Sequence, residues 1–86
     1  MTTGFLSCCT PRWHGAVRGW FASAIAEGTT DPVAVVTAVR GLIAEDMLLA
    51  TTPGEAALYS SMLAVLAHHQ VQARAYAQDL LERCAL

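Results

Sequence analysis

Apolar residues recur every three or four positions over most of the chain, which is the spacing of one face of an α-helix. Three dipeptides combine a residue suited to a helix N-cap with proline, which is favoured at the first helical position. They are Thr10-Pro11, Asp31-Pro32 and Thr52-Pro53. The pattern predicts an N-terminal arm followed by three helices, over about residues 1–9, 11–27, 32–50 and 53–84.

The first predicted helix has two different faces. One is bulky and contains Trp13, Val17, Trp20, Phe21 and Ala24. The other is small and contains Gly15, Gly19 and Ser23, flanked by alanines. A glycine inside a helix costs about 1 kcal/mol relative to alanine, so we expect this small face to allow close approach of another helix. That helix could belong to the same chain or to a second chain; alternatively, the small face points to solvent.

The third predicted helix is much longer than the other two. Thr52-Pro53-Gly54-Glu55 has the form of a capping box, and no glycine or proline follows it. Over 53–84 the helix would be about 50 Å long, so it either breaks near His68-His69 or projects beyond its neighbours. A 4-3 spacing along it resembles a coiled-coil seam, formed by Met62, Leu66, His69, Ala73, Tyr76 and Leu80.

These elements predict an all-α fold, a small three-helix bundle or a four-helix bundle if the last helix breaks, in one domain over 1–86. The composition also indicates a partner chain. Hydrophobic residues make up 55% of the chain and charged residues 14%, against about 25% charged in an average domain. With so few charged residues, the surface of a monomer would be poorly covered by polar side chains. We therefore expect the bundle to be completed by dimerisation.

Charge and hydropathy exclude several classes of partner. The net charge is −2 and the five arginines are scattered, which argues against nucleic acid binding. The longest nearly apolar stretch, 56–67, is shorter than the ~20 residues that span a bilayer. The first residues lack the basic and apolar regions of a secretory signal, so we expect a cytoplasmic location. The lysine-free, alanine-rich composition suggests a bacterial or phage source.

Histidine and cysteine are the only side chains that suggest chemistry at a metal. Their spacing is poor for zinc, because Cys8 and Cys9 are adjacent and neighbouring helical histidines point about 100° apart. The chain contains the residue types used in nucleophilic catalysis, cysteine or serine with histidine and a carboxylate, but no local sequence signature of such a site. No glycine-rich phosphate loop is present either. Asp46 lies on the apolar side of the second helix, where we expect it to pair with an arginine, to reach solvent or to contact another chain. The sequence therefore predicts no enzyme and no cofactor.

The function predicted from these features is a non-enzymatic helical interaction module. It would be a homodimeric adaptor, regulator or inhibitor of a partner protein. The predicted contact residues are Trp13, Gly15, Gly19, Trp20, Phe21, Ser23, Met62, Leu66, His69, Ala73, Tyr76 and Leu80. The alternative is a metal- or small-ligand-binding bundle that uses His14, His69 and the cysteines.

Overall fold

The computed structural model describes residues 5–84, and within them it contains four α-helices, two short 3₁₀ turns and no strand. The 3₁₀ turns span Leu6–Cys8 and Pro11–Trp13. The helices are α1 (His14–Ala26), α2 (Pro32–Leu48), α3 (Pro53–His68) and α4 (Gln70–Cys84). This confirms the all-α prediction. Residues 1–4 of the predicted arm and residues 85–86 of the predicted domain lie outside the described residues.

Side chains cap the starts of α2 and α3. The Asp31 carboxylate accepts a hydrogen bond from the backbone N–H of Ala34 at 3.0 Å. The Thr52 hydroxyl accepts one from the N–H of Glu55 at 3.1 Å. The Glu55 carboxylate in turn accepts a bond from Thr51 N–H at 3.3 Å, one residue earlier than in a standard capping box. Each cap satisfies an N–H group that has no partner inside its helix.

The first helix begins later than predicted. The side chain of Thr10 makes no capping bond, and Pro11–Trp13 form a 3₁₀ turn, so α1 starts at His14. The end of α1 lies where Gly28 predicts it. Gly28 has a φ of 96°, a left-handed conformation in which a side chain would be strained.

The long C-terminal helix predicted over 53–84 breaks at His69, so the described chain has four α-helices rather than three. His69 leaves the helical region with φ −119° and ψ 44°. Its N–H still donates to the carbonyl of Val65, and its own carbonyl accepts from Ala73 N–H, both at 2.9 Å, so the break takes a single residue. The long axis of the molecule is 40 Å, shorter than the ~48 Å that a continuous helix over 53–84 needs. Instead of projecting, α4 packs against α2, as α3 does.

All six aromatic residues of the chain lie in two clusters within the core. Neighbouring ring centroids are 4.9 to 6.3 Å apart, within the range of favourable aromatic pairs. One cluster joins the start of α1 to α3 and contains Trp13, Trp20 and Tyr59. The other joins the N-terminal segment, α1 and α4, and contains Phe5, Phe21 and Tyr76. The aromatic side chains therefore hold α1 against α3 and α4.

The described part of the predicted arm belongs to the core. Phe5 is fully buried and Cys9 nearly so, because the 3₁₀ turn between them directs both side chains inward. The Cys9 thiol donates to the Phe5 carbonyl at 3.6 Å. Burial raises the pKa of the Cys9 thiol, and the neighbouring Cys8 raises it further. Cys9 is thus a packed side chain with little thiolate character.

Candidate interaction surface

The outer side of α1 is exposed and almost uncharged. Its exposed small residues are Gly15, Ala16, Gly19, Ala22, Ser23 and Ala26. Arg18 is the one arginine, lysine, aspartate or glutamate in the helix. Solvent-facing helix surfaces normally carry charged and polar side chains, so this composition is unusual for a face that water alone covers.

No part of the described chain covers the two glycines on this side. A Cβ atom added to Gly15 or Gly19 would meet no atom within 4 Å. The small face therefore does not pack against a helix of the same chain, which removes one of the sequence-based alternatives. Each interior glycine costs about 1 kcal/mol relative to alanine. Nothing in the described chain offsets this cost.

A groove lies beside this small face, between α1 and α4. Its volume is about 340 Å³, and it is lined by Arg18, Ala22, Ile25, Ala26, Tyr76 and Leu80. Ala22 and Ala26 belong to both the groove and the small face, so the two are continuous. We call them together the α1 surface. An apolar depression next to a smooth helix face can receive a side chain or a helix ridge from another molecule.

Tyr76 forms a rigid, neutral part of the groove. Its ring is buried and packs edge-on against Phe21 at a centroid distance of 4.9 Å. Burial raises the pKa of the Tyr76 hydroxyl, and the positive charges of Arg18 and Arg83 offset part of that rise. The groove therefore presents a single charge, that of Arg18, at physiological pH.

Only part of the predicted contact set is exposed. Gly15, Gly19 and Ser23 lie on the α1 surface, and Leu80 lines its groove half-buried. Trp13 and His69 are half-buried elsewhere. The remaining predicted contacts are buried within the chain: Trp20, Phe21, Met62, Leu66, Ala73 and Tyr76. Trp20 and Phe21 pack in the two aromatic clusters, and Met62, Leu66 and Ala73 pack in the core between α2, α3 and α4, so these five are not exposed contacts. Tyr76 is buried as well, but it lines the groove of the α1 surface.

Arg18 and Ile25 line the groove but were not among the predicted contacts. They are seven positions apart and therefore lie on the same side of α1, beside the small face. Only the position of α4 shows that this side borders a groove. Leu48 and Leu49 were also not predicted as exposed. They are 83% and 78% accessible, at the point where α2 ends before a turn. Consecutive leucines at a helix end cannot both face the core.

Asp46 is paired within the chain. The indole N–H of Trp20 donates to the Asp46 carboxylate at 2.8 Å, joining α1 to α2. An indole was not among the possibilities left open by the sequence, which were an arginine, solvent and another chain. The bond supplies an acceptor for an indole that is only 8% exposed.

The described residues hold no group of three or more His, Cys, Asp or Glu side chains arranged to bind a metal ion. His14 has its Nε2 atom 3.2 Å from the carbonyl oxygen of Cys9, beside the N-terminal turn. His69 lies at the helix break, and the side chain of Cys84 is outside the described residues. The same part of the chain has no helix that is long and apolar enough to cross a membrane.

Comparison with protein-family models, with curated proteins and with solved structures finds no match for this chain.

Proposed function

We propose that the chain is a non-enzymatic helical interaction module that pairs with a second copy of itself through the α1 surface. The pair would act as an adaptor, regulator or inhibitor of another protein. The α1 surface supports an interaction role because it offers apolar contact area rather than converging polar groups. The observation that carries the proposal is the open space beside Gly15 and Gly19.

Those two glycines cost the monomer about 2 kcal/mol together relative to alanine. A domain of this size has a total stability of only about 5–15 kcal/mol, so the cost is substantial. Close approach of a helix would recover it, because backbones separated only by glycine and serine can make extensive van der Waals contact. Spacing of small residues at i, i+4 and i+8 is self-complementary, since the same helix of a second copy can cross it. A second copy is therefore the occupant that fits best.

The charge of the α1 surface agrees with this occupant, and its size limits the affinity. Arg18 lies among the groove residues and is the single charge of the α1 surface, so two copies meet with few charges to desolvate. α1 is about 20 Å long, and two neighbouring helices are together about 20 Å wide, so the α1 surface has a projected area of roughly 400 Å². Stable complexes bury about 800 Å² per partner, so we place this pairing toward the weak end. We expect a micromolar dissociation constant.

Sedimentation equilibrium across a dilution series from micromolar to millimolar chain tests the pairing. The apparent mass should rise from 9.1 kDa toward twice that value, and the thermal midpoint should rise with concentration. A mass of 9.1 kDa at every concentration would contradict the proposal.

Gly19→Ala separates a contact on α1 from a general effect on helix stability. In the monomer the added methyl meets open space, so the variant should be more stable by about 0.5–1 kcal/mol. In the pair it should weaken association several-fold, because the methyl holds the two helices apart. Gly41→Ala is the matched control, since Gly41 is also an exposed helix glycine with open space, but in α2. It should stabilise the chain and leave association unchanged; equal effects of the two variants would locate the contact away from α1.

A further inference from the structure

A second and smaller groove lies where α2, the end of α3 and the start of α4 meet. Its volume is about 80 Å³. The lining includes two apolar side chains of the core, Val36 and Leu66, which are 8% and 1% exposed. Arg40 and Arg74 line it from different helices. No residue of α1 contributes, so this groove is separate from the surface proposed for self-pairing.

The two arginines carry positive charge that the described chain does not neutralise. The ion pair found in the described residues joins Arg83 to Asp79 at 3.0 Å, and neither Arg40 nor Arg74 takes part in one. The nearest acidic residues along their own helices are Glu45 and Asp79, each five positions away. Five positions turn an α-helix by about 140°, so neither acid lies on the same face as its arginine. A chain of net charge −2 thus has a locally cationic groove.

The polar groups at the groove are suited to an anion. Gln70, whose side chain carries an amide, also lines the groove. Thr37 uses its hydroxyl proton within α2, where it donates to the Val33 carbonyl at 3.0 Å. Guanidinium groups bind planar carboxylates through two parallel hydrogen bonds, a geometry that favours carboxylate over a point charge.

The apolar part of the lining selects among anions. Val33, which is 54% exposed, and Val36 offer the apolar surface that an entering molecule would cover, and an inorganic anion gains nothing from such contact. The volume holds on the order of five water-sized groups, about the size of a short branched alkyl chain. We propose that this groove binds a short branched monocarboxylate, with its alkyl group on Val33 and Val36 and its carboxylate between Arg40 and Arg74.

Chemical-shift titration of the isotope-labelled full chain with isovalerate tests this site, because it detects millimolar affinities. We expect saturable shifts at Val33, Val36, Gln70 and both arginines. Acetate, which has three fewer carbon atoms, should bind at least tenfold more weakly, because each buried methylene contributes about fourfold in affinity and burial of two of the three gives about sixteenfold. Isovaleramide, which has the same shape but no charge, should also bind at least fivefold more weakly.

Arg40→Gln and Arg74→Gln should each weaken isovalerate binding at least fivefold. Both arginines are exposed, so neither substitution removes a core contact, and the thermal midpoint checks that the fold is retained. Arg12→Gln is the control, because Arg12 is another exposed arginine and does not line the groove. Equal losses for all three variants, or inorganic phosphate that binds as tightly as isovalerate, would overturn the proposal. Self-pairing is tested separately by the apparent mass in the sedimentation series, so failure of this site and failure of self-pairing are distinguishable.

Discussion

Trp20 and Asp46 show how a single residue pair can join two helices of a small domain. The Trp20 ring is buried, and its N–H would lose a hydrogen bond to water if no acceptor were present. Asp46 supplies that acceptor at 2.8 Å, while its half-buried position leaves part of the carboxylate accessible to water. A hydrogen bond to a charged group contributes more than one between neutral groups. The pair therefore stabilises the packing of α1 on α2.

We predict that Asp46→Ala lowers the free energy of unfolding by about 1–3 kcal/mol, because it leaves the buried indole N–H without an acceptor. Asp46→Asn retains an oxygen that can accept the bond and should cost less. Urea unfolding at one fixed chain concentration measures both. Glu45→Ala is the control for removing an acid from the same helix end, and we expect it to change stability by less than about 0.5 kcal/mol. A loss as large for Glu45→Ala would show that the indole bond contributes nothing specific.

At the scale of elements, the starts of the helices differ although their sequences look alike. Thr10 and Thr52 both precede a proline. Only Thr52 receives a backbone N–H on its side chain, and α3 begins there directly as an α-helix. Thr10 is followed by a 3₁₀ turn, and its side chain makes no cap. The dipeptide thus marks a helix start in both cases, but the capping bond depends on the conformation of the first turn.

The two threonines give a matched pair of substitutions. Thr52→Ala should lower the free energy of unfolding by about 1 kcal/mol, because the N–H of Glu55 loses its acceptor. Thr10→Ala should change it by only a few tenths of a kcal/mol, since no bond is removed. Thermal or urea unfolding distinguishes these values. If both substitutions cost the same, the Thr52 bond does not stabilise α3.

At the scale of the whole molecule, one buried hydroxyl links stability to alkaline pH. The raised pKa of Tyr76 means that the folded chain keeps this proton more strongly than the unfolded chain, whose tyrosine has a pKa of about 10. The resulting stabilisation is fully present below pH ~10 and is lost as the pH rises through the folded pKa. Tyr76 lies where the N-terminal segment, α1 and α4 meet, so its ionisation disturbs the packing of all three.

We therefore predict that the free energy of unfolding falls as the pH rises above about 10, and that Tyr76→Phe makes this fall less steep. Urea unfolding at several pH values measures the slope. Tyr59→Phe is the control, because it removes the other tyrosine hydroxyl and leaves Tyr76 in place. A slope unchanged by Tyr76→Phe would contradict the linkage.

Local sequence signals predicted the helix starts marked by proline, the end of α1 and part of the candidate site. Helical spacing, the three proline-marked starts and the stop at Gly28 are local features, and local interactions suffice to specify them. The small residues Gly15, Gly19 and Ser23 were visible in the same way, because a helical face follows from spacing alone.

The break in the last helix, the burial of Phe5 and the groove beside α1 depend on tertiary packing. The length of the last predicted helix left two alternatives open, a break near His68-His69 and a projecting helix. Packing selects the break, which allows Ala73, Tyr76 and Ala77 to be buried in the shared core. Phe5 has no periodic neighbours, yet it is fully buried because Phe21 and Tyr76 provide a surface for it. A hydrophobic pattern states which residues need burial, and only packing determines what covers them. For that reason the sequence could suggest the small face of α1, while the groove beside it exists only once α4 lies alongside.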